Sequence, residues 1–284
     1  MMNACQDEVK FKVNKPFHKW VGGKSRIMPT LLKHLPSEGE VLIEPFAGGG
    51  SIFMNTNYKK YIINDSNVDL INTYRFLCED TERFIEDARA LFSEENNRLG
   101  PYMRLKTEFN SSKDEWRRAV LFIYLVRHSF NGLFRVNRLG GFNVPFGKFK
   151  TVYFPEQEMR AYADKASKVE VEFLSCSYQD VMATYFDMKT PAIVYLDPPY
   201  TPDTEGKGFS SYQSGGFSLH DQTVLHQYAV LMSRNGHKVY MSNSDVEFNR
   251  ALYQEQQVVS LEAHRSISRA KETRGKVGEL VVIY

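Results

Sequence analysis

The tetrapeptide Asp197-Pro198-Pro199-Tyr200 closes an apolar run, PAIVYL at 191–196, with one acid, two prolines and a ring. Adjacent prolines cannot continue a helix or donate to a sheet ladder, and an ordinary turn would recruit Gly or Asn instead. Such a sequence holds a carboxylate, backbone carbonyls and an aromatic face rigidly at a strand end. That is a means of presenting something flat that carries hydrogen-bond donors. The bland alternative is a stiff turn with Asp197 as a cap.

A second stretch with chemical content is EPFAGGGS at 44–51, which follows one apolar run and opens a helical pattern. Glycines there let backbone N–H groups approach a ligand closely. Phe46, Ala47, Gly48 and Gly50 form this loop, and Asp65 ends the next apolar run, 17 residues after Gly48. An acid at that place accepts the hydroxyls of a ribose. The spacing suits a nucleoside and departs from the dinucleotide fingerprint, because no third glycine follows at the required offset. A third stretch, FHKWVGGKSR at 17–26, contains Gly-Lys-Ser. It is not a phosphate loop: the motif needs a glycine where His18 stands, and no strand leads into it. Its Trp20 and Lys24 can instead cover a ring and hold a carboxylate, or simply pack an N-terminal arm.

These residues need elements to position them. EVLIEPF (40–46), KYIIND (60–65), VEVEFLSC (169–176), AIVYLD (192–197), HKVYMSN (237–243), QQVVSLEA (256–263) and ELVVIY (279–284) read as strands, several of them buried. A helical pattern at 218–236 ends on a glycine. Strands alternating with helices predict an α/β sheet, mostly parallel. The last two strands have no helix between them and predict an antiparallel hairpin. From Val68 to about His128 the periodicity is helical, with Asp114 or a nearby serine as a cap and Asn131-Gly132 as a stop. LFRVNRLGGFNVPFGKFK at 133–150 then reads as a basic hairpin around Leu139-Gly140-Gly141. The expected organisation is an α/β part, 1–66 and 155–284, interrupted by an inserted helical and basic module, 67–154.

Composition narrows the partner. The chain has 284 residues, 42% of them hydrophobic, enough for a full core, and a net charge of only +2. Yet between Arg117 and Pro155 there are seven Lys or Arg and no acid, which suggests an anionic partner. Cys5, Cys78 and Cys176 are odd in number and widely spaced, which argues against disulfides or a zinc site and fits a cytoplasmic location. No metal is expected. The longest apolar run, AVLFIYLV at 119–126, is too short to span a membrane, and the charged N-terminus lacks a signal core.

A flat group with amino hydrogens, delivered by a polyanion, is a nucleic-acid base. The exocyclic amine of adenine is a poor nucleophile because its lone pair is delocalised into the ring. Two acceptors on its hydrogens, the Asp197 carboxylate and the Pro198 carbonyl, would localise that pair, while Tyr200 stacks on the base. A base in a duplex reaches such a pocket only by being flipped out.

From Pro16 to Tyr284 the sequence resembles the DNA adenine-N6 methyltransferases of the Dam family, the GATC-specific, Asp-Pro-Pro-Tyr type. The resemblance rests on FHKWVGGK, EPFAGGGSIF, YIINDSNVDLI, RRAVLFIYLVRHSFNGLFRVN, FNVPFGKFK, DPPY and RSIS, in the family's order. It implies a Rossmann-like methyltransferase sheet with an inserted target-recognition domain, S-adenosyl-L-methionine as methyl donor, and double-stranded DNA as partner. It also implies a monomer with no obligate protein partner. By position it implies that Trp20, Lys24, Phe46 to Gly50, Asp65 and Asp197 hold the cofactor. It likewise implies that Asp197, Pro198, Pro199 and Tyr200 form the target-adenine pocket, that Lys19 and Arg135 read guanines, that Leu133 and Pro145 touch a thymine methyl, that Asn131 stands at the place of the expelled adenine, and that Asn137 is a further DNA contact. Phe130 stands where some members have tyrosine, and Lys148-Phe149 replaces Arg-Tyr; a bidentate contact at Lys148 is lost, which bears on site stringency rather than on chemistry.

Rival readings are a catalytically silent DNA reader, a nicotinamide oxidoreductase, and a methyltransferase for cytosine N4, RNA or a protein amide. Methyl transfer separates the first. The glycine pattern argues against the second. Asp197 and the insertion's likeness favour adenine in DNA over the third.

Overall fold

The computed structural model describes residues 13–201, 217–264 and 276–284. The RSIS motif at 265–268, Cys5 and residues 1–12 of the N-terminal extension lie outside the described residues.

Seven strands form one sheet: β1 (Glu38–Glu44), β2 (Asn57–Asn64), β3 (Glu170–Leu174), β4 (Ile193–Leu196), β5 (Lys238–Ser244), β6 (Gln257–His264) and β7 (Lys276–Ile283). Their order is β3-β2-β1-β4-β5-β7-β6. β1 to β5 pair in parallel, and β7 runs antiparallel between β5 and β6. The predicted strands and the terminal hairpin are therefore present. The additional feature is that the hairpin's second strand, not its first, joins the parallel sheet.

The period-two alternation of side chains divides the core. Leu42, Tyr61, Ile63 and Tyr195 face one layer, while Val41, Ile43, Ile62, Val194 and Leu196 face the other. The second layer is covered by α8 (Tyr178–Thr184), α9 (Leu219–Arg234) and α10 (Glu247–Leu252). α9 starts at Ser218 in a reciprocal capping box with Asp221, and Gly236 follows its end at φ +94°.

The first layer merges with the helical segment: α3 (Val68–Glu79), α4 (Thr81–Ala90), α5 (Leu99–Ser111), α6 (Glu115–His128) and, after the hairpin, α7 (Glu156–Ala166). Periodicity at 68–92 ran on without a break, but Asp80 divides it. Its backbone leaves the helical region (φ −145°, ψ 81°), and its side chain accepts from the Arg83 N–H to cap α4. Asp114 caps α6 in the same way. Every residue from Ala119 to Val126 is buried, so α6 is apolar all round because it is the central helix of its layer. Arg118 on α6 grips Asp69 on α3 through two bonds, 2.8 and 2.7 Å.

The basic hairpin forms, held by isolated bridges at Val136–Phe142 and Ser129–Phe146 rather than by a continuous ladder. Pro145 has no N–H to give, and side chains replace the missing bonds. Asn110 of α5 accepts from the Phe142 N–H (2.8 Å) and donates to its carbonyl (3.1 Å). Among the described residues no helix is long and apolar enough to cross a membrane.

Candidate active site

Strand order reverses at β1 and β4, and the crevice beyond their carboxyl ends is where open α/β sheets bind ligands. Both predicted clusters lie there. After β1 the chain turns through three glycines into α2 (Ser51–Asn55). Gly48 has φ +49° and Gly50 φ +77°, a region L side chains avoid. A Cβ on Gly48 would lie 3.0 Å from Trp20 Cδ1, and one on Gly49 3.0 Å from Trp20 Cβ, so only glycines let the turn lie under Trp20.

The Gly48 peptides are held from both sides. The Gly48 N–H donates to Asp65 Oδ2 (3.1 Å), and the Gly48 carbonyl accepts from the Tyr74 hydroxyl (2.6 Å). Asp65 Oδ1 also accepts from the Asn67 N–H (3.0 Å). Burial raises the Asp65 pKa, and these two N–H bonds oppose it. Each Asp65 oxygen keeps a lone pair that can accept from a ribose hydroxyl. Ala47 is buried behind the turn, its N–H bonded to the Asn64 carbonyl (2.8 Å). The Phe46 ring lies 5.3 Å from that of Tyr178 and 6.0 Å from that of Phe217.

Across the crevice, Asp197 follows β4. The Lys24 ammonium is 2.8 Å from Asp197 Oδ1, donates to the Gly22 carbonyl (3.0 Å), and sits 4.4 Å over the Tyr200 ring. Burial raises Asp197 to about 6; Lys24 pulls it down and the Glu279 charge adds to the rise. At neutral pH it is mainly a carboxylate, an acceptor. The Tyr200 hydroxyl donates to Glu279 Oε2 (3.0 Å). The Pro199 carbonyl accepts from Gln222 Nε2 (2.8 Å), and Gln222 is tied to Asn243 (2.9 Å). Thr201 is fastened by Asn249 (3.0 Å) and by the Ser244 hydroxyl (2.6 Å). This buried network fixes the tetrapeptide from behind. Among the described residues no donor reaches the Pro198 carbonyl.

Sequence reasoning missed Glu44, Tyr74, Gln222, Asn243 and Glu279. Glu44 is the acid of EPF: burial, with the Asp197 charge adding, pushes it to about 8, and its Oε2 has no partner. An acid ending the apolar run of β1 was the available signal. The other four act through packing that no local pattern announces.

The N-terminal arm joins this site to the basic segment. His18 is buried and hydrogen-bonded to the Thr73 hydroxyl (2.6 Å), and the Arg127 guanidinium donates to the Phe17 carbonyl. Trp20 packs on Phe134 (6.2 Å, nearly parallel). Lys19 runs along Gly132, where a Cβ would meet its Cδ at 2.5 Å, and its ammonium lies 5.1 Å over the Phe149 ring. Burial and the Arg127 charge lower the Lys19 pKa. A cavity of about 170 Å³ opens here between Lys19, Arg127, Phe149 and Thr151–Tyr153.

Most of the remaining hairpin residues sit outward. Among the described residues Asn131 (φ +57°) and Lys148 (φ +54°) are the non-glycines in the left-handed region. Such outliers concentrate at functional sites. Phe130 is 48% exposed, its N–H bonded to the carbonyl of exposed Pro145 (2.8 Å). Leu133 is half-buried against the core. Arg135 is exposed, its Nε bonded to Asn143 Oδ1 (2.9 Å). Asn137 builds the turn: its Oδ1 accepts from the Leu139 (2.9 Å) and Gly141 (3.0 Å) amides. No cluster of three or more His, Cys, Asp or Glu suited to a metal occurs among the described residues.

A parallel sheet continued by an antiparallel strand, a glycine turn with an acid on the neighbouring strand, and a rigid Asp-Pro-Pro-Tyr at the switch point together define a Rossmann-like methyltransferase fold. The chain belongs to the D12 class N6 adenine-specific DNA methyltransferase family, whose profile matches residues 20–267. It is 43% identical to a DNA adenine methylase of Serratia marcescens over 274 residues, 96% of this chain and 99% of that protein. It is 42% identical to a DNA adenine methylase of Escherichia coli K12, covering 96% of each. It is 40% identical to one of Vibrio cholerae serotype O1, covering 96% of this chain and 97% of that protein. The chain is accordingly an enzyme that methylates adenine N6 in DNA.

Proposed function

We propose that the enzyme uses S-adenosyl-L-methionine to methylate adenine within GATC in double-stranded DNA, acting as a monomer on a flipped-out base in the cytoplasm. The observation that carries this is the crevice at β1 and β4, where a glycine turn packed against Trp20 follows β1 and Asp197, paired with Lys24, follows β4. The residues fit that cofactor. The turn leaves no room for a Cβ, Asp65 retains acceptor capacity for ribose hydroxyls, Phe46 offers a ring, and Lys24 offers an ammonium for a carboxylate. The cofactor supplies a methyl group already activated by its sulfonium.

The protein's part is orientation and electrostatics. The Asp197 carboxylate and the Pro198 carbonyl accept the two amino hydrogens, drawing the nitrogen toward tetrahedral geometry. Pro199 stiffens the loop, and Tyr200 stacks on the base. No strong base is needed, because the nitrogen becomes acidic once methylated. Residues 67–154 form the DNA-facing module, and 1–66 with 155–284 the catalytic part. Lys19 and Arg135 read guanines, for which a cation paired with O6 and N7 is apt. Leu133 and Pro145 meet a thymine methyl. Phe130 wedges into the stack and Asn131 takes the vacated place. Asn137 is a further DNA contact, Lys148 meets a phosphate, and Phe149 stacks.

Asp197→Ala tests the assignment: turnover nearly vanishes while duplex binding persists. Normal turnover in that variant would remove Asp197 from the mechanism.

A further inference from the structure

We propose that Glu279, on the antiparallel strand β7, is a positioning residue for methyl transfer that anchors the Tyr200 ring beside Asp197 by accepting its hydroxyl. This rests on the proposed role of Tyr200. Stacking on a base requires a ring and not a phenol, so the hydroxyl must be explained separately. Here it is turned away to a carboxylate oxygen at 3.0 Å, a charge-assisted bond that fixes the ring plane. The Lys24 ammonium lies 4.4 Å over the ring, next to Asp197, so the anchored ring borders the reacting group.

The fold explains why the anchor comes from β7. The parallel strands all end at the crevice. A strand of opposite direction reaches that edge near its beginning, and Glu279 pairs across from Ser244, the last residue of β5. It also pairs with Leu261 of β6, so it sits in the middle of a three-stranded ladder. The neighbouring Gly278 packs so closely on Asp245 that a Cβ there would lie 2.7 Å from the Asp245 Cβ, and its carbonyl accepts from the Asp245 N–H (2.9 Å). The carboxylate therefore stands on rigid backbone. Ring orientation fixed before the substrate arrives lowers the ordering left for the reaction.

Glu279 also acts on Asp197 through space. The groups facing Asp197 are Lys24 from the arm, Glu44 from β1, Glu279 from β7, and the phenols of Tyr195 and Tyr200. Lys24 favours the ionised form of Asp197, and Glu279 opposes it. Removing the Glu279 charge lowers the pH at which Asp197 takes up a proton.

The test compares full-length wild type, Glu279→Gln, Glu279→Ala, Tyr200→Phe and the Glu279→Ala/Tyr200→Phe double variant in single-turnover methylation of a GATC duplex at saturating cofactor. Glu279→Gln still accepts the phenol and is expected to stay within about threefold of wild type at pH 8, with its acid limb displaced to lower pH. Glu279→Ala leaves the phenol unpaired and is expected to lose about tenfold or more. The double variant is expected to be no slower than the slower single. A wild-type rate for Glu279→Ala, or losses that multiply in the double variant, would overturn the proposal. Carbon-13 titration of the Asp197 carboxyl without DNA, assigned by Asp197→Asn, is the independent arm. Its midpoint falls in Glu279→Gln if the Glu279 charge acts on Asp197 through space, and an unmoved midpoint overturns that part of the proposal. A chain inert on every duplex would refute the proposed function, whereas the titration still decides the electrostatic action of Glu279 on Asp197.

Discussion

Replacing Lys24 by methionine removes the ammonium that sits 2.8 Å from Asp197, in a pair whose side chains are only 4% and 21% exposed. Burial already lifts Asp197 from 3.8 to about 6 with Lys24 in place. Without Lys24 the buried carboxylate is left with the Glu279 charge and no counter-charge. Deleting one partner of a buried pair costs about 3–5 kcal/mol, and the lower figure suits an acid with some solvent contact. At roughly 1.4 kcal/mol per pKa unit, ~3 kcal/mol is ~2 units, which carries the Asp197 midpoint to ~8. At pH 7 the ionised fraction then falls from about nine-tenths to about one-tenth. Because an acceptor carboxylate is needed, the single-turnover rate at pH 7 should fall by roughly tenfold and recover as the pH approaches about 9. The assay is rapid-quench methyl transfer at saturating cofactor, so that weaker cofactor binding does not enter. An acid limb that stays near its wild-type position, or a loss that is the same at every pH, would refute the electrostatic reasoning and leave Lys24 as a cofactor contact alone.

Three further outcomes follow from the geometry. Tyr74→Phe removes the hydroxyl that holds the Gly48 carbonyl, and should weaken cofactor binding by roughly fivefold, about 1 kcal/mol, with the turnover rate kept; calorimetry showing unchanged affinity would dismiss that role. Arg118→Met breaks the double bond pair to Asp69 that ties α6 to α3 and should cost ~3 kcal/mol of stability, and an unmoved urea midpoint would contradict it. Arg135→Ala should relax discrimination at one guanine by about 1–3 kcal/mol, measured as rates on duplexes altered at each site position, and an unchanged preference would count against the reading role.

Much of the scaffold was legible in the sequence because its causes are local. The buried strands announce themselves as apolar runs, and Asp114 caps the helix that follows it. Asp197 and the Gly48–Gly50 turn stand out because their residue types at strand ends are hard to explain as packing alone. What the sequence hid depends on contacts between distant segments. Glu279 meets Tyr200 across 79 positions and Tyr74 meets Gly48 across 26, so no window contains either pair. The break at Asp80 was hidden because helical periodicity continues on both sides of it. Asn137 shows a different limit: a polar residue in a basic hairpin suggests DNA contact, while its carbonyl oxygen is used to build the turn.

The most direct measurement incubates the pure protein with tritiated S-adenosylmethionine and two duplexes identical except that one GATC is scrambled to GTAC. The account predicts label on the GATC duplex alone, recovered as N6-methyladenine. Label on neither duplex would contradict methyl transfer itself, and equal label on both would contradict the reading roles given to Lys19 and Arg135.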